Sequence, residues 1–242
     1  MKKLILPLIL AFSMPLWGQA GDPDVDNGGY LSAANNPAFV QGAVNAGTST
    51  TTVAVTVSAV GAGHGLFVTC ISTGSCSAPT ATGESFSTYT GASGCQDFTG
   101  DFMQCWQTTN AAGGETTVNC NTSGTSSIIC GVIEYTRPQG LSTPKDAGGH
   151  SEVSSGTSYT VSTSAVTTVA NDFVMDCFGS YGTGSNAITL GSGFTNAFTP
   201  YATATGNMSC GYLVASSTGT QTGTGTAVSS MRATAIILAV KP

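Results

Sequence analysis

The residues best placed to do chemistry fall in one cysteine-bounded segment, residues 95–105, CQDFTGDFMQC. A Cys95–Cys105 bond would close it into a loop presenting Asp97, Asp101 and Gln104, with Trp106 just outside. Carboxylates and amides bind sugar hydroxyls or calcium, and an aromatic face stacks on a sugar ring. Asp97, Asp101, Gln104 and Trp106 are therefore the candidate ligand-binding residues. The competing reading is a stapled loop whose aromatic residues are core.

Catalytic chemistry finds less support. Acyl transfer needs a nucleophile, a base and an orienter. The chain has two histidines, His64 and His150, and no Gly-x-Ser-x-Gly turn. His150 near Glu152 reads as a solvated loop pair. Glycoside hydrolysis needs two carboxylates roughly 5–9.5 Å apart. Glu134, Asp172 and Asp176 lie on predicted strands and are the candidates for such a pair, with Glu134 expected at a sheet edge. No residue is assigned a catalytic role, and no cofactor is expected.

Metal binding fares no better. Asp22, Asp24 and Asp26 have the spacing that opens a calcium loop, but Asn27 and Ala33 stand where glycine and glutamate are needed. No Cys-x-x-Cys occurs, and neither histidine has zinc-ligand spacing from a cysteine. Thr218, Thr220, Thr222, Thr224 and Thr226 would share one strand face, the kind of row that orders water on ice-binding proteins. Threonine also simply suits exposed strands.

The elements that must hold these residues are strands. Residues 53–57 alternate Val53, Val55 and Val57 with small residues, as a half-buried strand does. Residues 64–72 and 233–240 are apolar on both faces and should lie inside a sheet. Residues 116–135 read as a hairpin about a polar connector at 121–127, which places Cys120 opposite Cys130 and Val118 opposite Val132. Residues 136–157, with Pro138, Pro144 and Gly148-Gly149, read as a long connection. No extended run repeats apolar residues at helical spacing. Short strands at roughly ten-residue spacing predict an all-β, two-sheet antiparallel β-sandwich.

Eight cysteines, Cys70, Cys76, Cys95, Cys105, Cys120, Cys130, Cys177 and Cys210, are an even set. In an exported chain that predicts disulfides. Sequence proximity favours Cys120–Cys130, then Cys95–Cys105 and Cys177–Cys210, leaving Cys70–Cys76.

Export is read from the start of the chain. Lys2 and Lys3 precede an apolar run broken by Pro7 and Pro15, and Gly18-Gln19-Ala20 supplies small residues for cleavage. The run is shorter than the ~20 apolar residues of a membrane anchor. Residues 1–20 are thus expected to be a signal peptide, 21–36 a flexible acidic segment, and 37–242 a single β-sandwich domain, secreted or at the cell surface. Only 7% of the residues are charged, against a typical ~25%. Beyond residue 20 the basic residues are Arg137, Lys145, Arg232 and Lys241. So sparse a set argues against nucleic acid, whose phosphates need clustered cations. No membrane insertion is expected after cleavage.

The order of landmarks resembles a group of exported bacterial jelly-roll domains, mostly uncharacterised. They share a Val-rich strand, a Gly-rich turn into Leu-x-Val, a Val-x-Glu-Tyr strand, Ala-Asn-Asp-Phe-Val, Gly-Ser-Gly-Phe-Thr, Val-x-Ser-Ser and an alternating apolar strand ending in Lys-Pro. Here these fall at 53–57, 63–68, 132–135, 170–174, 191–195, 214–217 and 235–242. The eight cysteines depart from that pattern, as does His64, where Asn or Asp is usual. The resemblance implies a jelly-roll sandwich, often beside adhesive or glycan-binding modules, and no catalytic residues.

The expected function is an exported, non-catalytic binding module, adhesive or glycan-recognising, with a glycan or surface polymer as partner. The alternative is a structural surface protein that self-associates. A glycoside hydrolase and an ice-binding protein are the remaining readings.

Overall fold

Alternating β-branched and small residues become strands throughout. A computed structural model of the chain describes residues 36–88, 102–137, 145–163, 170–181, 186–203 and 206–242. The expected leader, almost all of the acidic segment, Cys95, Asp97 and Asp101 lie outside the described residues. The strands are β1 (Phe39–Thr56), β2 (Gly65–Ser72), β3 (Cys76–Thr80), β4 (Ser87–Thr88), β5 (Phe102–Thr108), β6 (Thr117–Tyr135), β7 (Lys145–Ser162), β8 (Phe173–Tyr181), β9 (Thr189–Leu190), β10 (Thr195–Asn196), β11 (Tyr201–Thr203), β12 (Gly206–Val214) and β13 (Thr222–Val240). The described residues contain no helix.

Two antiparallel sheets pack together, as the alternation predicts. The first runs β1-β6-β2-β5-β4, with β3 also paired to β6. The second runs β7-β13-β8-β12-β10, with β9 paired to β13 and β11 to β12. Each half of the chain builds one sheet, and the two halves repeat one wiring. β2 and residues 233–240 of β13, apolar on both faces, lie inside their sheets, where neither face meets water.

The long strands bend. β1 pairs with β6 along its whole length, but the register slips between Gly47 and Thr50 and again between Thr50 and Thr52. Ser49 sits at this break with φ of 52°, a left-handed conformation uncommon outside glycine. Beyond the break, the last part of β1 and the first part of β6 form a ribbon over the outer face of their own sheet. β7 and β13 do the same, with slips around Met231.

Three buried clusters follow from this folding. One lies between the sheets and draws on both halves: Phe67, Ile71, Ile129 and Ile133 meet Phe173, Met175, Ile236 and Leu238. A second lies between the first sheet and its ribbon, joining Val53, Val55 and Val118 to Leu66, Val68 and Trp106. The third lies under the second ribbon and includes Tyr159, Val161, Val174 and Phe178. The described residues are thus four layers deep over three cores.

Disulfides join Cys70 to Cys76, Cys120 to Cys130 and Cys177 to Cys210. Cys105 is also disulfide-bonded; its expected partner Cys95 lies outside the described residues. The Cys120–Cys130 bond is present but the predicted hairpin is not. Both cysteines belong to the one bent strand β6. Cys120 faces Val53, and Cys130 faces Asn45 and Cys70. Val118 faces Val55, not Val132. Residues 121–127 make a bulged bend because β1 offers the backbone partners on both sides of it. The predicted connection at 136–157 is also corrected: from Lys145 onward it is β7, paired to β13 nearly to the end of that strand.

Candidate functional site

A cleft opens where the β3–β4 turn meets the β5–β6 connection. Thr82 and Gly83 form one wall, and residues 112–117, Ala112 through Thr117, form the other. The cleft encloses 520 Å³. A shallower extension of 290 Å³ continues along Thr80, Ala81 and Asn119 and shares Thr82 and Thr117 with it. Together they make one groove lined by threonine hydroxyls, an amide, glycine backbone and a carboxylate.

Glycine lets both walls turn. Gly83, Gly113 and Gly114 have φ of 78°, 91° and 95°, where a side chain would be strained. The second wall is tied down from behind: Gly114 N–H donates to Val60 O at 2.8 Å, and Val60 N–H donates to Glu115 O at 2.9 Å. Ala112 N–H donates to Glu84 Oε1 at 2.6 Å, joining the two walls.

One carboxyl group, Glu115, thus lines the groove, and Glu84, outside the lining, lies beside it. Glu84 and Glu115 are in side-chain contact. Glu115 is 6% exposed, and its Oε2 has no hydrogen-bond partner. Burial raises the Glu84 pKa above the usual carboxylate value; the Ala112 N–H opposes this, and the neighbouring charge of Glu115 adds to it. The sequence reading missed this pair. Its one signal is the dipeptide Gly-Glu, at Gly83-Glu84 and again at Gly114-Glu115.

The residues singled out from sequence are dispersed. Trp106 is 1% exposed and packs in the core under the first ribbon, so its ring faces neighbours of the chain. Gln104 is half-buried on β5, in register with Cys70. Asp97 and Asp101 lie outside the described residues. Glu134 is 1% exposed and enclosed: His64 Nδ1 lies 2.5 Å from Oε1, Gly61 N–H donates to Oε1 at 2.8 Å, and Gln41 Nε2 donates to Oε2 at 2.5 Å. Glu134 thus anchors the turn before β2; it lies inside the sheet, between β1 and β2, and not at an edge.

Asp172 and Asp176 belong to the other half. Both are fully buried. Burial is the main cause that pushes Asp172 up to about 8, contact with Asp146 adds to it, and Lys241 opposes. Lys241 Nζ lies 3.6 Å from Asp146 Oδ1. Burial likewise pushes Asp176 up to about 8, against the pull of the Gly211 N–H. Both acids therefore hold a proton at neutral pH. Glu134 sits in the first sheet, and the two aspartates lie in and at the start of β8 in the second.

His150 and Glu152 lie on β7, not in a loop, and Glu152 bonds to Arg232. Within the threonine row, Thr222, Thr224 and Thr226 lie on β13 and are exposed, beside Ser162, Thr160 and Ser158 of β7. Thr218 and Thr220 precede the strand, so the row is three residues long. Among the described residues, no group of three or more metal-ligating side chains occurs, and no helix is long and apolar enough to cross a membrane.

Comparison of the chain with protein-family models, with curated proteins and with solved structures finds no match.

Proposed function

We propose that this protein is an exported, non-catalytic binding module that recognises a glycan or a similar hydroxylated surface polymer. The groove of the first half is its ligand site. One observation carries this reading: Thr80, Thr82, Thr117, Asn119 and Glu115 line a continuous groove on a rigid stapled scaffold. Hydroxyl, amide and carboxylate groups supply the donors and acceptors that sugar hydroxyls need. A groove built on fixed strands and short turns loses little freedom on binding. Disulfides favour an oxidising compartment, which suits a protein acting outside the cell. The low charge suits a neutral polymer better than a polyanion.

The test is a glycan array probed with the oxidised protein, followed by titration of the hits with Asn119→Ala and Thr117→Ala. Both side chains line the groove away from the cores, so the variants should fold. The expected result is at least one glycan class bound, weakened about tenfold or more by each change, since a hydrogen bond lost to a buried partner costs roughly 1–3 kcal/mol. An empty array, with sedimentation showing concentration-dependent oligomers, would replace this reading with a self-assembling structural protein.

A further inference from the structure

We infer that Lys241 and Asp146 form an amide bond between their side chains, with Asp172 as proton carrier, tying the end of β13 to the start of β7. The three groups converge from three strands. Val240 faces Lys145 on β7 and Phe173 on β8. One step further along the β8 ladder, Lys241 stands opposite Asp172, and facing side chains project to one side of a sheet. Asp146 is the extra residue of a bulge: Ala239 faces Ala147, and the next residue, Val240, faces Lys145. A bulge re-aims the side chain it carries. Here Lys241 Nζ lies 3.6 Å from Asp146 Oδ1, and Asp146 is in contact with Asp172. Two backbone bonds to Ala215, of 2.7 and 2.8 Å, hold Asn171 and Asp172 in place.

The surroundings favour condensation over an ion pair. Asp172 is fully buried, and the side chains of Asp146 and Lys241 are 4% and 35% exposed. Ala147, Val174, Ala215 and Ala239 of the third cluster flank them. Charges taken from water in such a place are costly, and a neutral amide removes both. Reactants held in contact gain an effective molarity of roughly 10⁵–10⁸ M, which drives a step that free ions in water do not take. The step needs no other reactant. Within the ion pair, Nζ passes one proton to the Asp146 carboxylate. The freed amine attacks Asp146 Cγ, and the carbon–nitrogen bond forms. Asp172, kept protonated at neutral pH by its burial, gives its proton to the departing hydroxyl and takes one from Nζ. The Cγ–oxygen bond breaks, one water leaves, and Asp172 ends as it began.

The test is peptide mapping of the folded full chain by mass spectrometry, after it has been denatured and its disulfides reduced. The expected result is a segment containing Asp146 joined to the segment containing Lys241, at the sum of their masses less one water. K241R keeps the positive charge but removes the amine, and D172N removes the proton carrier. Both variants should release the two segments, while K145R should leave them joined. Separate segments at full sequence mass in the unaltered protein would overturn the inference, and so would a join that survives K241R. A join that survives D172N would overturn the role given to Asp172. Loss of the join in K145R alone would overturn the choice of lysine. Should the variants fail to fold, the map of the unaltered protein decides, because it names both linked residues by itself.

Discussion

The two halves of this chain share one wiring and fill their outer cores by opposite means. In the first half, β2 turns Leu66, Val68 and Cys70 toward the ribbon. In the second, its counterpart β8 turns Val174, Asp176 and Phe178 the same way, by the alternation of a strand. Above them the first ribbon brings Val118 and Cys120 on β6, and the second brings Gly223 and Gly225 on β13. At these positions the first ribbon thus closes with valine and bonded sulfur, and Trp106 of β5 fills the core beside them. The second is closed by a large ring and a carboxyl group, each sunk against a glycine. A Cβ on Gly223 would lie 2.5 Å from Asp176 Oδ2, and one on Gly225 would lie 2.6 Å from Ile188 Cγ2 and 3.4 Å from Phe178 Cδ1.

A bent ribbon can thus be held to its sheet covalently, as by Cys120–Cys130, or by shape alone. The covalent half carries the groove. The other half carries buried acids that must stay protonated, and its disulfide, Cys177–Cys210, joins two strands within the sheet rather than the ribbon to the sheet, so loss of the ribbon should follow reduction in the first half and rising pH in the second.

The sharpest way to break the first half is to empty its core. Trp106→Ala removes the largest buried side chain beneath the first ribbon. The expected loss is about 3–5 kcal/mol, read as a fall in the denaturant midpoint. A loss below about 1 kcal/mol would mean that the ring is not packed as described.

Next in size is the staple. Replacing Cys120 and Cys130 together by alanine opens a loop whose ends are 10 residues apart. The chain-entropy model gives a cost of about 3 kcal/mol. Exchange of the ribbon amides should rise more than exchange across the second half. Equal loosening of both halves would contradict the separate outer cores.

The second half should answer to pH. Asp176 titrates near 8 in the fold and from 3.8 as its ordinary value. The folded state therefore holds a proton that the unfolded chain has lost, over the window from about 4 to 8. Stability from this group is full below that window and falls as pH rises through it. The loss is on the order of a few kcal/mol. Asp176→Asn should lessen the slope of stability against pH, with Asp172 supplying what remains. An unchanged slope would remove Asp176 from the account.

A smaller effect is expected at the close contact. Gly225→Ala should cost about 1–3 kcal/mol by overpacking against Ile188 and Phe178. A neutral or stabilising result would show that the second ribbon sits farther from its sheet.

Much of this architecture is legible in the chain. The valine alternation at 53–57, the double-faced run at 233–240 and the cysteine spacing point to strands, a central strand and disulfides. The bends are not legible. Residues 121–127 have the composition of a hairpin turn, and local chemistry cannot tell that β1 will pair on both sides of them. The second wiring is hidden for a related reason: Val68 and Asp176 occupy like places in unlike chemistry. Trp106 beside a cysteine-bounded loop looks like a sugar platform, yet its place on β5, in register with Val68, fixes which face it joins. Glu84 and Glu115 are far apart in sequence and meet only because two glycine turns converge.

Ligand recognition is proposed to belong to the first half alone. Hydrogen–deuterium exchange of the oxidised full chain, with and without a glycan selected on the array, tests it most directly. Slowed exchange is expected at residues 80–84 and 112–119, with no change from 145 to 240. Protection confined to the exposed Thr222, Thr224 and Thr226 face, or spread evenly over both halves, would contradict it.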